Sequence, residues 1–280
     1  MKIIDFRLRP PLRGFLDMVM YTKPERRNRF TRQLGLEPAP SAEARSMAML
    51  LDEMKSVNVV AGVVTARVSD YFGSVSNDDV TAMCKEHPGV LFGMAAVDPT
   101  DRVRAFKQID AALAAGFKGV TIEPGAYPVP LYTDDRKLYP IYGYLGDRKV
   151  PTVIINGGNA GPDISYSNPM TIDRVAADFP NLKIIVSHGN WPWVREILHI
   201  AFRRDNVGLS PDMYFHKAPG MDEYLEAANS WMADRFYFAT AYPLVPLKQY
   251  TAWFVKLPLK PENMERIVYR NTAELLGIAS

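Results

Sequence analysis

Short apolar runs alternate with longer amphipathic segments along most of the 280-residue chain. Each run is at most eight residues long and rich in β-branched side chains, which is typical of strands buried on both faces of a parallel sheet. The segments between the runs carry apolar residues three and four positions apart, as amphipathic helices do. The predicted strands are Lys2–Leu8, Val57–Val64, Val90–Val97, Lys118–Glu123, Pro151–Asn156, Lys183–His188, Asn206–Ser210 and Arg235–Thr240.

This alternation predicts an α/β fold, a (β/α)₈ TIM barrel that forms a single domain over residues 1–280. Eight strand–helix units in about 250 residues fit a closed barrel better than an open sheet. No GxGxxG follows the first run and no GxxxxGK[ST] occurs, so the sequence lacks the motifs that would indicate a nucleotide-binding doubly wound sheet. The long gap after the first strand, residues 10–56, predicts an insertion or lid whose helix Lys23–Leu34 folds over the barrel mouth.

Composition and charge narrow the function classes. The chain is 48% hydrophobic and its formal net charge is +2, which excludes a disordered chain and argues against nucleic-acid or membrane-surface binding. Cys84 is the one cysteine, so neither an intramolecular disulfide nor a cysteine zinc site is expected. The first residues do not resemble a signal peptide and no apolar run reaches 18 residues, so we expect a soluble cytoplasmic protein.

The ends of the predicted strands carry polar residues where TIM barrels place their chemistry. Arg7 and Arg9 alternate in the first strand, so both are expected to face the mouth and to bind a carboxylate or phosphate. The alternatives are a structural ion pair with Asp5 or Glu123, or exposure to solvent. Among these alternatives we favour anion binding, because the strand is otherwise apolar.

Candidate catalytic groups end the fourth and sixth strands. His188 is the candidate general base, against the alternative of a hydrogen-bonded core histidine. Glu123 is expected either to partner the arginines or to orient a water molecule, and the residues do not separate these roles. Asn156, followed by two glycines, would hold a carbonyl or carboxylate oxygen unless it only forms a turn. Asp212 and Tyr242, near the ends of strands seven and eight, complete the predicted substrate-binding set.

These residues lie in stretches that resemble the amidohydrolase-related family of metal-dependent decarboxylases and lactonases, the aminocarboxymuconate-semialdehyde decarboxylase type. The resemblance covers nearly the whole chain. The stretches that carry it are IIDFRLRPP, GFKGVTIEPG, LYPIYGYLGDRKVPTVIINGG, FPNLKIIVSHGNWPWVREIL, DRFYFATAYP and NTAELLGI.

The family pattern implies a metal ion bound by an HxH pair on strand 1, a strand 5 histidine and a strand 8 aspartate. This sequence has Arg7, Arg9, Asn156 and Ala241 at those positions. Only the strand 6 histidine, His188, remains. Arginine and alanine side chains do not hold zinc, so neither a metal nor any other cofactor is expected.

Two classes of function follow. The first is a metal-independent hydrolase of a small carboxylated substrate such as a lactone, with water activated by His188 and the anion held by Arg7 and Arg9. A metal-independent decarboxylase of a small carboxylic acid is its close alternative. The second class is a non-catalytic relative that binds an acidic metabolite. The expected partner is a small molecule; the sequence leaves open the substrate and whether the chain forms a homodimer.

Overall fold

Seven parallel strands form one continuous sheet in the computed structural model, which describes residues 1–278. Each strand pairs with the next in the chain, the pattern of a barrel in which helices cover the outside. The strands are β1 (Ile3–Leu8), β2 (Val59–Thr65), β3 (Leu91–Ala96), β4 (Val120–Ile122), β5 (Thr152–Ile155), β6 (Ile184–Ser187) and β7 (Val207–Ser210).

The segment 236–242 stands where an eighth strand closes a TIM barrel. The backbone N–H of Tyr237 donates to the Leu209 carbonyl at 2.9 Å, and the N–H of Phe6 donates to Phe238 at 2.9 Å. Contacts to β7 and β1 are isolated bridges rather than ladders. The TIM-barrel prediction is confirmed, but its eighth run, Arg235–Thr240, is not a regular strand; the residue after it, Ala241, has a left-handed backbone conformation with φ 54°.

The helices lie between the strands, much as the periodicity predicts. The helix between β3 and β4 runs from Arg102 to Ala114, and the Asp101 side chain, which accepts from the N–H groups of Val103 and Arg104, caps its start. The helices are α1 (Val19–Thr22), α2 (Pro24–Gln33), α3 (Pro40–Glu43), α4 (Met47–Ser56), α5 (Asn77–Glu86), α6 (Arg102–Ala114), α7 (Tyr139–Asp147), α8 (Pro169–Asp178), α9 (Val194–Arg203), α10 (Met221–Ala228), α11 (Leu247–Phe254), α12 (Pro261–Glu265) and α13 (Asn271–Leu276), with a π-helical turn Arg266–Arg270 before the last.

Residues 10–56 form the insertion after β1. They hold a 3₁₀ turn, Arg13–Asp17, followed by α1 to α4. The Tyr21 hydroxyl donates to the Arg9 carbonyl at 2.7 Å, and the Thr31 hydroxyl donates to the Leu244 carbonyl at 2.7 Å. Helices α1 and α2 are therefore hydrogen-bonded to both segments that meet at the barrel mouth.

Two hydrophobic layers hold the barrel. The inner layer fills the barrel and includes Ile4, Phe6, Val63, Val153 and Tyr237, while a larger outer layer packs the strands against the helices. None of the helices within residues 1–278 is long and apolar enough to cross a membrane.

Candidate active site

Arg7 is the centre of a buried polar cluster at the carboxyl ends of β1, β6 and β7. A register shift in β1 between Asp5 and Leu8 accompanies the departure of Arg7 from the regular ladder. Its Nη1 lies 2.9 Å from the Ser187 hydroxyl and 2.9 Å from Asp212 Oδ2. The guanidinium is 2% exposed, so these contacts form away from bulk water.

His188 and Asp212 form a hydrogen-bonded pair. His188 Nδ1 lies 3.0 Å from Asp212 Oδ1, and the backbone N–H of His188 donates to Oδ2 at 3.3 Å. Burial, assisted by the charge of Arg7 and opposed by that of Asp212, lowers the pKa of His188 to about 4. Burial raises the pKa of Asp212, but His188 and Arg7 outweigh it and bring that pKa to about 2. At neutral pH the pair is therefore a neutral imidazole beside an ionised carboxylate, with the Nδ1 proton donated to Asp212.

Arg7 lies over the face of the imidazole ring. Its Nη1 is 3.1 Å from Nδ1 and 2.9 Å from Nε2 of His188. A nitrogen in the ring plane at such distances from both ring nitrogens would collide with the carbon between them, so the contact is with the ring face. The lone pair of Nε2, which lies in the ring plane, is left available to a reactant.

Arg7 also retains unused donors. Its Nε and Nη2 have no hydrogen-bond partner among the described residues, although both are buried. In a guanidinium these two N–H groups form the side-on edge that binds a carboxylate in bidentate fashion. A buried arginine with this edge unpaired is suited to binding an anion.

Arg9 is a buried cation that has no carboxylate partner among residues 1–278. Its Nη1 donates to the carbonyls of Ala241 at 2.9 Å and Tyr242 at 3.5 Å. Burial and the neighbouring cations Arg7 and Arg67 lower the pKa of Arg9 well below its usual value. An anion bound beside Arg9 would offset both effects.

Glu123 is paired with Arg67 rather than with the strand 1 arginines. Both carboxylate oxygens accept from Arg67, from Nε and from Nη2, each at 2.5 Å. Burial raises the pKa of Glu123, but Arg67 outweighs it and lowers that pKa below the usual value. Neither of the predicted ion pairs, Arg7 or Arg9 with Asp5 or Glu123, is formed.

Backbone strain is concentrated at this cluster. His188, Asp212 and Ala241 all have positive φ, at 68°, 47° and 54°. Such conformations are uncommon outside glycine and persist where the surroundings impose them, often at functional sites. His188 directly follows β6, Asp212 is two residues beyond β7, and Ala241 lies near the end of the closing segment, so all three are at the barrel mouth.

A cavity of about 140 Å³ lies above the cluster. This is smaller than the roughly 300–1,000 Å³ of drug-sized ligand pockets, so the cavity suits a small molecule. His188, Arg9, Arg67 and Glu123 line it from the barrel, and α1 and α2 cover it with Met20, Arg26, Arg27 and Phe30. Phe72, Asn159, Met213 and Tyr214 are among the loop residues that complete the wall.

Of the five predicted substrate-binding residues, only Arg9 lines this cavity; Arg7, Asn156, Asp212 and Tyr242 do not. Asn156 donates to the Asn190 side chain at 2.9 Å, and the Tyr242 hydroxyl is 2.8 Å from that of Ser41 in α3. The Asp212 carboxylate is fully buried beneath His188. The structure therefore brings together His188, Glu123 and Arg9, with Arg7 and Asp212 directly behind His188.

Sequence analysis missed Arg67 as a site residue although it follows a strand, because its partner Glu123 belongs to a distant part of the chain. It also missed Tyr214, whose ring stacks on Trp191 with centroids 5.0 Å apart and meets His188 edge-on at 5.2 Å. Burial is the main cause that raises the pKa of Tyr214 to about 12, so its hydroxyl stays protonated. The lid residues Arg26 and Phe30 gave no signal beyond their place in the predicted helix.

The residues present do not fit the metal ion that the family pattern implies. A guanidinium carries a positive charge and no free lone pair, and Arg7 and Arg9 place two of them at the position of the HxH pair. Asn156 is engaged with Asn190, and Ala241 offers a backbone carbonyl that already accepts from Arg9. Within residues 1–278 no group of three or more His, Cys, Asp or Glu side chains is arranged to hold a metal ion.

Comparison with known proteins agrees with the fold. The family model described as Amidohydrolase matches residues 4–278. The crystal structure of the uncharacterized TIM-barrel protein Bb4693 from Bordetella bronchiseptica has 50% sequence identity and a TM-score of 0.97, with 99% of each chain covered. No match was found among curated proteins.

More distant structures share the barrel. The 2,6-dihydroxybenzoate decarboxylase bound to 2,6-dihydroxybenzoate has 14% identity and a TM-score of 0.71, with 99% of each chain covered. The 5-carboxyvanillate decarboxylase LigW from Sphingomonas paucimobilis has 14% identity and a TM-score of 0.69, with the same coverage. Since the family model spans nearly the whole sequence, the chain belongs to the amidohydrolase family.

Proposed function

We propose that this member of the amidohydrolase family hydrolyses a small carboxylated substrate, such as a lactone, without a bound metal ion. The observation that carries the proposal is the buried His188–Asp212 pair at the floor of a cavity, with cationic groups on two sides. A histidine held in one tautomer by a carboxylate, with its second nitrogen available, is the arrangement of a general base.

The substrate carboxylate would bind to Arg9, which lines the cavity and has no carboxylate partner among residues 1–278. Arg7, behind His188, adds a second positive charge, and its Nε and Nη2 have no hydrogen-bond partner in the same residues. A charge-assisted hydrogen bond of this kind contributes about 1.5–3 kcal/mol. Arg67 is already neutralised by Glu123, so it adds less to anion binding.

The hydrolytic step uses the Nε2 lone pair of His188. Nε2 takes a proton from water, and the oxygen of that water forms a bond to the lactone carbonyl carbon. The carbonyl oxygen becomes an oxyanion, which the positive charge of Arg9 stabilises. When the tetrahedral centre collapses, the ring C–O bond breaks and the leaving oxygen takes the proton back from His188.

Asp212 supports the histidine through this cycle. Its carboxylate accepts from Nδ1 and stays ionised, so it stabilises the imidazolium that forms after proton transfer. The proposal gives Glu123 an indirect role, because both its oxygens are held by Arg67.

Decarboxylation is the second candidate, since two of the distant structures are named decarboxylases. In that reaction the C–C bond to the carboxylate breaks, CO₂ leaves and the carbanion must receive a proton. A protonated His188 would be the donor, but burial holds its pKa at about 4. The neutral histidine expected at pH 7 favours hydrolysis, which needs a base.

The test compares wild type with His188→Gln on a panel of carboxylated lactones and aromatic carboxylic acids. We expect wild type to hydrolyse at least one lactone, and the variant to lose about 10²–10⁴-fold in turnover, the usual contribution of a general base. Ligand affinity should change far less, because Arg7 and Arg9 remain. His199→Gln, at an exposed position of α9, is the matched control.

Three results would count against the proposal. Equal turnover by the two proteins would remove His188 from the mechanism. CO₂ release without lactone hydrolysis would favour the decarboxylase. Binding of several panel members with no turnover would identify a non-catalytic binding protein.

A further inference from the structure

Asp5 is a fully buried carboxylate that the proposed mechanism does not use. It precedes Arg7 in β1, yet within residues 1–278 it forms no salt bridge with a cationic side chain. All its hydrogen-bond donors are backbone N–H groups and one hydroxyl. A buried carboxylate of this kind is costly unless its hydrogen bonds hold something in place.

The partners of Asp5 connect β1 to the closing segment of the barrel. Oδ1 accepts from the backbone N–H of Arg7 at 3.0 Å and from that of Thr240 at 2.9 Å. Oδ2 accepts from the Thr240 hydroxyl at 2.5 Å. The same hydroxyl accepts from the N–H of Tyr242 at 2.9 Å. Thr240 is therefore fixed through both its backbone and its side chain.

Ala241 lies between the two ends of this network. Its backbone is left-handed, and its carbonyl accepts from Arg9 Nη1 at 2.9 Å. An alanine prefers not to adopt this conformation, so the hydrogen bonds of Thr240 and Tyr242 on either side must maintain it. The direction of the Ala241 carbonyl, and with it the position of Arg9, depends on them.

We propose that Asp5 is a positioning residue for Arg9, acting through Thr240 and the backbone of Ala241. Ala241 stands at the position where the family pattern has an aspartate. Its backbone carbonyl, rather than a side chain, contacts the Arg9 guanidinium and orients it. The inference rests on the proposed function in one respect, that Arg9 binds the anion. Asp5 itself does not touch substrate.

A purely structural role for Asp5, which would only close the barrel between β1 and the segment 236–242, is the alternative. Such a role would make every substitution in the network lower stability without a selective effect on anion binding. A positioning role requires that ligand affinity falls in variants that remain folded, and that Arg9 moves.

The experiment compares Thr240→Val with Thr240→Ser. Valine keeps the shape and removes the hydroxyl bonded to Asp5 and Tyr242, whereas serine keeps the hydroxyl. The matched control is Thr272→Val, because Thr272 is also fully buried and its hydroxyl has no hydrogen-bond partner within the described chain. Binding of tetrahydrofuran-2-carboxylate, which keeps the carboxylate but has no lactone carbonyl to hydrolyse, is measured by calorimetry, and the ligand-free variants are crystallised.

We expect Thr240→Val to weaken binding by about tenfold, the effect of one lost net hydrogen bond at the cation. Thr240→Ser should restore affinity to near wild type, and the control should not change it. The crystal structure of Thr240→Val should show Arg9 Nη1 separated from the Ala241 carbonyl. Unchanged affinity in Thr240→Val, or an intact contact between Arg9 and Ala241, would overturn the inference.

Two further arms keep the result decisive. If Thr240→Val does not fold, Thr240→Ala provides the same test, since it removes the same hydroxyl with a smaller side chain. If wild type binds no carboxylate, the proposed function fails, and the position of Arg9 in the ligand-free crystals alone decides the inference.

Discussion

At the residue scale, the site depends on the protonation of His188. Only the neutral imidazole can accept a proton from water, so activity should fall as pH decreases through its pKa. In the free protein that pKa is lowered to about 4, first by burial and then by Arg7. A plot of kcat/KM against pH should therefore be flat near neutrality and decline toward pH 4.

Bound substrate should shift this profile. A carboxylate on Arg9 offsets part of the positive charge of Arg7 and Arg9 that disfavours protonation of His188, so the pKa of His188 rises in the complex. Because kcat reports the complex and kcat/KM the free protein, the kcat profile should decline at a higher pH than that of kcat/KM. Superimposable profiles would show that the anion does not lie near the histidine.

Arg9 gives a second residue-scale prediction. Arg9→Met should weaken carboxylate binding by about 1.5–3 kcal/mol, because one charge-assisted contact is lost. Arg9→Lys should retain only part of the affinity for the carboxylate, since an ammonium group lacks the planar pair of N–H donors of a guanidinium. Titration calorimetry measures both, with Arg29→Met on the exposed side of α2 as the control. Equal affinities in all variants would place the anion elsewhere.

Sequence analysis located the side chains better than it located their contacts. The positions of Arg9, Glu123 and His188 after strands follow from the barrel periodicity, which directs these positions to the mouth. The pairing of Asp212 with His188 does not follow from the periodicity. It depends on left-handed backbone conformations after β6 and β7, at residues that are not glycine, so the sequence gives no sign of them. Asn156 and Tyr242 were expected at the cavity for the same reason, yet their side chains are hydrogen-bonded elsewhere.

At the scale of elements, helices α1 and α2 cover the cavity. The Thr31 hydroxyl fastens α2 to the loop after the closing segment, through the Leu244 carbonyl. Thr31→Val should leave that carbonyl without a hydrogen-bond partner. The expected loss of stability is about 1–3 kcal/mol, and α2 should open more readily. Amide hydrogen exchange should accelerate in α2 and not in the strands.

A buried threonine in α11 provides the control for this change. Thr251 has a hydroxyl without a hydrogen-bond partner in the described part of the chain, so Thr251→Val alters volume equally and breaks no such bond. Exchange in α2 that is the same in both variants would show that the Thr31 contact does not hold the lid. The lid itself followed from the length of the gap before β2, whereas its hydrogen bonds required the folded barrel.

At the scale of the whole molecule, His188 links stability to pH. Its folded-state pKa, about 4, lies below the usual 6.5, so the unfolded chain takes up a proton first as pH falls. This contribution to stability is complete above pH 6.5 and is lost as pH falls through about 4. Its size is about 3 kcal/mol.

Asp5 acts in the opposite direction over an overlapping range. Burial raises its pKa to about 6, so its contribution is present below the usual 3.8 and is lost as pH rises through 6. The difference in unfolding free energy between wild type and His188→Gln isolates the histidine. We expect this difference to decrease from pH 7 to pH 4 in chemical denaturation, and a constant difference would contradict the proposed burial of a neutral His188.

The fold and the chemistry of this protein are specified by different parts of the sequence. Apolar periodicity predicts the barrel, because strands and helices of this kind can bury their faces in few other ways. The chemistry that we propose depends on four positions where arginine, asparagine and alanine stand in place of the metal ligands of the family pattern. The sequence identifies these residues but not the contacts that they form, such as that between Arg9 and the Ala241 carbonyl.

The central claim is that His188 and the arginines act without a metal ion. The most direct test is the turnover of carboxylated lactones by chelator-treated, dialysed protein, with metal content measured on the same sample. We predict that turnover is the same before and after metal removal and that adding zinc or manganese does not raise it. Turnover that disappears on metal removal and returns in proportion to one added ion per chain would contradict the account.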